Sequence, residues 1–123
     1  MPEKTTDDWQ RTWHHLQQGL GNKWALHVLQ VLATDSHGFG ELEQEIDGIS
    51  ETMLSRRLSD LTEKGFIEKT TVASTPPRTL YQLTPAGDRV ATFLGEMERI
   101  TAIAETADGP QLIFETEDSR IDP

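Results

Sequence analysis

Thr52, Ser55, Arg56 and Ser59 recur at separations of three and four residues, the spacing that gathers side chains on one face of an α-helix. Their chemistry is recognition rather than reaction. A hydroxyl donates and accepts hydrogen bonds, and a guanidinium donates through a planar fork. Arg56 has the geometry to donate two bonds to O6 and N7 of a guanine, worth about 1–3 kcal/mol of discrimination against other bases. Thr52 and Ser55 suit base edges or phosphates. Arg57 lies nearer the opposite face, where a phosphate contact and an internal ion pair are both open to it. Arg78 follows Pro76-Pro77, and Lys69 lies upstream of the same loop. Both cations suit a phosphate or minor-groove contact, with a structural turn and an incidental arginine as the plainer reading of Arg78.

Other chemistry is sparse. His14, His15, His27 and His37 show no mutual metal-ligand spacing, and the sequence contains no cysteine, so neither a Cys-based zinc site nor a disulfide is expected. His27 falls on the apolar face of a predicted helix and reads as a core histidine. Carboxylates are numerous but scattered, and there is no phosphate-cradling glycine loop or nucleophile elbow. The sequence therefore predicts a protein that is not an enzyme and needs no cofactor.

The elements that must position Arg56 and its neighbours are legible. Leu54, Leu58 and Leu61 mark the opposite, buried side of the same helix. Ser50 is placed to cap it, because a serine hydroxyl accepts a hydrogen bond from a free N–H in the first turn. The cap also puts Ser50 beside N–H groups that suit a phosphate. Lys64-Gly65 ends the helix with a cation and a glycine. Ahead of it, Phe39, Leu42 and Ile46 form the apolar side of a shorter helix, joined through the turn Asp47-Gly48-Ile49. Phe66–Val72 and Thr79–Leu83 read as two strands around a loop from Ala73 to Arg78. Two short helices across a Gly-containing turn, followed by a hairpin, describe a winged helix-turn-helix. The predicted fold is mainly α with one small β-hairpin.

Flanking helices are predicted on both sides. Residues 8–20 place Trp9, Trp13, Leu16 and Leu20 along a narrow seam, and Lys23–Ala33 is apolar almost all round, as expected of a central helix. Thr84-Pro85 supplies a cap and a proline at the first helical position. From there Val90, Phe93, Met97, Ile100, Ala104 and Ala107 alternate three and four apart, which predicts a C-terminal helix over 85–107 with a coiled-coil-like seam. Residues 108–123 read as an acidic, loosely docked tail. The whole is expected to be a single domain with its winged core at 23–84. The terminal seams have two readings. They pack on their own domain, or Trp9, Trp13, Leu16, Val90, Phe93, Met97 and Ile100 join two copies into a two-fold dimer. Trp9, Trp13 and Phe93 are also placed to line a pocket for a small-molecule effector.

The net charge of -10 is the wrong sign for a simple phosphate binder. The excess is uneven: residues 23–90 carry a net -3, and residues 91–123 a net -6. Lysine is scarce, four against seven arginines. An acidic, Lys-poor surface suits very salty cytoplasm, where repulsion is screened within about 3 Å at 1 M salt; an ordinary acidic protein is the alternative. With no long apolar run and no signal-peptide pattern at the start, the expectation is a cytoplasmic protein without a membrane partner.

From Gly21 to about Arg99 the sequence resembles the HxlR-type winged-helix regulators, relatives of the MarR group. The resemblance rests on Gly21-Asn22-Lys23-Trp24, Phe39-Gly40-Glu41-Leu42 and Gly48-Ile49-Ser50. It continues through Met53-Leu54-Ser55-Arg56-Arg57-Leu58, Leu61, Gly65-Phe66-Ile67, Pro76-Pro77-Arg78, Tyr81 and Leu83-Thr84-Pro85-Ala86-Gly87. It implies a dimeric transcription regulator with a DNA-binding wing. Members that sense oxidants carry a cysteine ahead of the central helix; here that region holds His14 and His15, so thiol sensing does not carry over. The sequence thus points to a homodimeric regulator binding double-stranded DNA. Its alternative is a winged-helix adaptor for protein partners that has lost useful DNA affinity.

Overall fold

The computed structural model describes residues 8–115. Nine elements follow in order. Helix α1 spans Trp9–Leu20, α2 Ala25–Leu32, α3 Phe39–Glu45 and α4 Glu51–Glu63. Strands β1 (Ile67–Val72) and β2 (Arg78–Leu83) form an antiparallel hairpin, with Ile67 opposite Leu83 and Val72 opposite Arg78. Helix α5 covers Pro85–Arg99, and a second antiparallel hairpin pairs β3 (Thr101–Thr106) with β4 (Gly109–Phe114).

The core is built from the positions that the periodicity marks as apolar. Val28, Leu29 and Leu32 of α2, Leu42 of α3, Leu54, Leu58 and Leu61 of α4 and Ile67 of β1 are buried together. At about 25 cal/mol per Å² of apolar area removed from water, each such leucine contributes about 1.5–3 kcal/mol. Gly48 takes the left-handed backbone its turn requires, at φ 88°. His37 bridges to Tyr81 through two backbone hydrogen bonds of 2.8 and 3.0 Å, which ties the loop before α3 to the wing hairpin.

Thr84 joins the winged module to α5 with one hydroxyl. It accepts from the Gly87 N–H at 3.1 Å and donates to the Gly65 carbonyl at 2.6 Å. Gly87 is buried, and a Cβ there would lie 1.9 Å from the Phe66 carbonyl oxygen. Only glycine lets α5 start this close to β1.

Three expectations are corrected. The C-terminal helix does not reach residue 107. It ends at Arg99, where the Thr101 hydroxyl donates to the Met97 carbonyl at 2.6 Å, and the chain turns into β3. The seam through Ile100 is helical in spacing. Ala104 and Ala107 extend it only by coincidence, because alanine fits either period. The alternation of Thr101, Ile103 and Glu105, followed by Asp108-Gly109, is a hairpin signal, and Gly109 adopts φ 104°. Residues 109–114 are accordingly a paired strand rather than a loose tail; residues 116–123 of that acidic segment lie outside the described residues. The second correction is α2, which starts at Ala25, because Trp24 takes a left-handed φ of 78° at its N-cap. The third is His27, which is exposed and tilted against the Trp24 ring at 4.9 Å between centroids. Its ring rests on Trp24 at the margin of the core and stays exposed, so His27 is not a core residue.

Candidate nucleic-acid interface

Helix α4 is anchored on one side and open on the other. Leu54, Leu58 and Leu61 are buried, while Thr52, Ser55, Arg56 and Ser59 are all exposed. Ser50 caps the helix as the sequence predicts, its Oγ accepting from the Met53 N–H at 3.1 Å. The cap fixes the first turn, and with it the direction of Thr52, Ser55 and Arg56. These three and Ser59 line a shallow hollow of about 620 Å³ with Phe39, Glu51 and Asp60. Arg56 is the one guanidinium among the described residues that lines it, beside Glu51 and Asp60, the latter already paired with Arg57. Its electrostatic attraction for phosphate is therefore small, and its capacity for directional hydrogen bonding is large.

Arg57 belongs to the interior. It is 8 % exposed, and a guanidinium nitrogen lies 3.2 Å from Asp60. Its Nε is buried without a hydrogen-bond partner. The two readings of Arg57 thus resolve in favour of the ion pair, and it leaves the set of DNA-facing candidates. The reason is angular: Arg57 stands on the same side of α4 as Leu54, Leu58 and Leu61.

Arg78 stands at the base of the wing, exposed, with its guanidinium 3.1 Å from Glu41 Oε1. That carboxylate also accepts the Gly38 N–H at 2.8 Å, at the start of α3. Glu41 therefore couples the wing to the first motif helix, a role that no periodicity reveals because Arg78 lies 37 residues away in sequence. An exposed pair of this kind is worth only about 0.2–1 kcal/mol, so Arg78 is held in place yet easily transferred to a phosphate. Lys69 is exposed on β1 opposite Tyr81, its ammonium 5.9 Å from the ring centroid. The wing loop itself, residues 73–77, is exposed throughout.

The terminal residues divide. Trp9 (65 %), Trp13 (64 %) and Phe93 (69 %) are largely exposed, as are Met97 and Ile100 to a lesser degree. Leu16 and Val90 are half-buried, and Val90 packs against the core. Trp13, Leu16, Val90 and Phe93 share an open groove of about 920 Å³ between α1, α2 and α5, which Leu26 and Arg89 also line. The sequence marks Leu112-Ile113-Phe114 of β4 as an apolar cluster, but gives no role to Leu26, Arg89 or Ile103.

No group of three or more metal-ligating side chains occurs among the described residues. No helix among them is long and apolar enough to cross a membrane.

A capped helix with a polar outer face, set behind a shorter helix and followed by a hairpin tied to it, defines a winged helix-turn-helix. Residues 19–106 match the family model described as HxlR-like helix-turn-helix, and the chain belongs to that family. It is 32 % identical over 84 residues to the uncharacterised HTH-type transcriptional regulator YtfH of Escherichia coli K12, a match that covers 68 % of this chain and 62 % of that protein. Among solved structures it is similar to a protein described as a MarR-family transcriptional regulator from Porphyromonas gingivalis W83. That likeness has a TM-score of 0.65 at 30 % identity and covers 81 % of this chain and 94 % of the other. It is also similar to the reduced form of the transcriptional regulator YodB from Bacillus subtilis, with a TM-score of 0.64 at 28 % identity over 70 % of this chain and 84 % of the other. The family and the named relatives are transcriptional regulators, not enzymes.

Proposed function

We propose that this protein is a sequence-specific, DNA-binding regulator of transcription that acts in the cytoplasm as a homodimer. The observation that carries the reading is the outer face of α4. Thr52, Ser55, Arg56 and Ser59 are exposed together on a helix whose other face is locked into the core. An α-helix fits the major groove, and this face supplies the donors that base edges recognise. The wing then rests on the flanking backbone or minor groove, with Arg78 and Lys69 as its contacts and the capped first turn at Ser50 against a phosphate.

The dimer is supported by the exposed aromatic and aliphatic residues of α1 and α5. Trp9, Trp13, Phe93, Met97 and Ile100 would be costly to leave in water, and a two-fold pairing covers them. Dimers of this motif read half-sites about 34–36 Å apart. The groove beside Trp13 and Phe93 is also large enough for a small-molecule effector. The absence of cysteine directs any such sensing away from thiol chemistry.

The charge shapes the expected salt response. A single exposed guanidinium on the recognition face implies few phosphate contacts, so few counterions are released on binding. Repulsion from the acidic remainder of the chain is screened as salt rises. Electrophoretic mobility shifts with genomic fragments, run at low and at molar potassium chloride, test the reading. The expected result is specific retardation at both, with a shallow slope of affinity against salt. A loss of about 10³–10⁵ between 50 and 200 mM, as for six to ten phosphate contacts, would exclude the salt-adapted form of it. No retardation at any salt would favour the adaptor for protein partners.

A further inference from the structure

Beyond its junction with the end of α5, the second hairpin makes no extensive packing with another element among the described residues. Ile103, Leu112 and Phe114 share one face of it by strand alternation and cross-strand register. They are 61 %, 60 % and 54 % exposed. A lone two-stranded hairpin is marginal in water unless its apolar face packs on something. The groove between α1, α2 and α5 has the complementary deficiency. It is apolar and open, and no residue of β3 or β4 lines it.

The charges of the two surfaces match. Among the described residues no aspartate or glutamate lines the groove, although the chain as a whole carries -10; the ionisable ones that do are Arg89 and His14. Arg89 forms no ion pair among the described residues. Residues 100–115 hold three carboxylates, Glu105, Asp108 and Glu115, and no cation. Glu105 lies on the same face of the hairpin as Ile103, by the same alternation.

We infer that the β3–β4 hairpin of one copy docks into the α1/α2/α5 groove of a second copy, with Ile103, Leu112 and Phe114 against Trp13 and Phe93, and Glu105 against Arg89. The inference rests on the dimer reading above. An antiparallel two-fold crossing of the α5 helices near Met97 sets each residue after Met97 beside one the same distance before it. From Met97 back to Arg89 is about 12 Å of helix, and a six-residue strand runs about 20 Å, so the hairpin of the partner spans the groove. Each groove is then closed only in the dimer, and an effector that enters it would be enclosed by both copies.

Cross-linking between introduced cysteines tests this, since the chain has none of its own. Chains carrying Phe93→Cys and chains carrying Leu112→Cys are co-expressed and treated with a short bismaleimide. The expected product is a two-chain species that neither variant gives alone. Its yield should fall severalfold with Arg89→Glu on the Phe93→Cys chain and recover when Glu105→Arg is added to the other. A chain bearing both cysteines that closes on itself, without a two-chain product, would show that the hairpin covers its own groove and would overturn the inference. Absence of any product from a protein that light scattering shows to be dimeric would also overturn it, while leaving the dimer intact. A monomeric wild type would remove the dimer reading and the docking together.

Discussion

Helix α4 and helix α5 treat their apolar residues in opposite ways. On α4, Leu54, Leu58 and Leu61 are all buried within the chain, and what remains outside is polar. On α5, Gly87 and Ala91 are buried and Val90 and Leu94 pack against the core, while Phe93 and Met97, with Ile100 at the C-cap, are exposed. The first pattern belongs to an element whose partner is its own domain and whose outer face is free to meet a hydrogen-bonding ligand. The second belongs to an element that packs one side on its own core and leaves a second apolar side exposed, the side assigned above to the proposed dimer. The same contrast separates the two hairpins: β1 begins with the buried Ile67, whereas β3 and β4 expose their large side chains.

The contrast breaks most sharply if charges placed on α5 leave assembly unchanged. Met97→Glu combined with Ile100→Glu should convert the dimer to monomers at micromolar concentration, because carboxylates at an apolar interface lose hydration without gaining partners. Light scattering of the variant against the wild type decides it. Next in size is a pair of truncations. Leu54→Ala should lower the folding stability by about 2–5 kcal/mol, as expected for a cavity in a packed core. Phe93→Ala should change the stability of the monomeric Met97→Glu, Ile100→Glu protein by no more than about 0.5 kcal/mol. Urea denaturation of the two variants compares them directly, and a large effect of Phe93→Ala in the monomer would place that ring in an internal core.

Gly87→Ala probes the joint between the two regions. A methyl group placed 1.9 Å from the Phe66 carbonyl oxygen must push α5 off β1, at a cost of about 1–3 kcal/mol or more. Both the denaturation midpoint and the dimer affinity should fall, since α5 carries the proposed interface. Smallest is the comparison of adjacent arginines. Arg57→Ala should destabilise the fold by about 1–2 kcal/mol, through lost packing and an unpaired Asp60. Arg56→Ala, on the exposed side, should leave the denaturation midpoint within about 0.5 kcal/mol of the wild type.

Much of α4 was legible in the sequence because its signals are local. A capping serine, leucines three and four apart and a terminal Lys-Gly pair all lie within one helix, and the structure reproduces each. Arg57 was ambiguous because a long side chain on the buried side of a helix can still reach outwards; its burial beside the leucines and its pairing with Asp60 decide the matter. The end of α5 was misread because alanines at 104 and 107 extend a helical spacing without enforcing it, while Thr101 and Gly109 impose a strand and a turn. The groove was hidden for a different reason. Leu26 and Arg89 belong to different helices, and only their packing beside Trp13 brings them together. The Arg78–Glu41 pair likewise spans 37 residues.

The proposed reading of DNA sequence by α4 is tested by the sites that the protein selects. Genomic fragments bound by the wild type and by Arg56→Ala are recovered and sequenced under the same salt. The account predicts that the wild type enriches a paired site, its halves about 34–36 Å apart. Arg56→Ala should lose preference at one position in each half, by about 1–3 kcal/mol. An unchanged preferred sequence for Arg56→Ala, or no enriched site for the wild type, would contradict it.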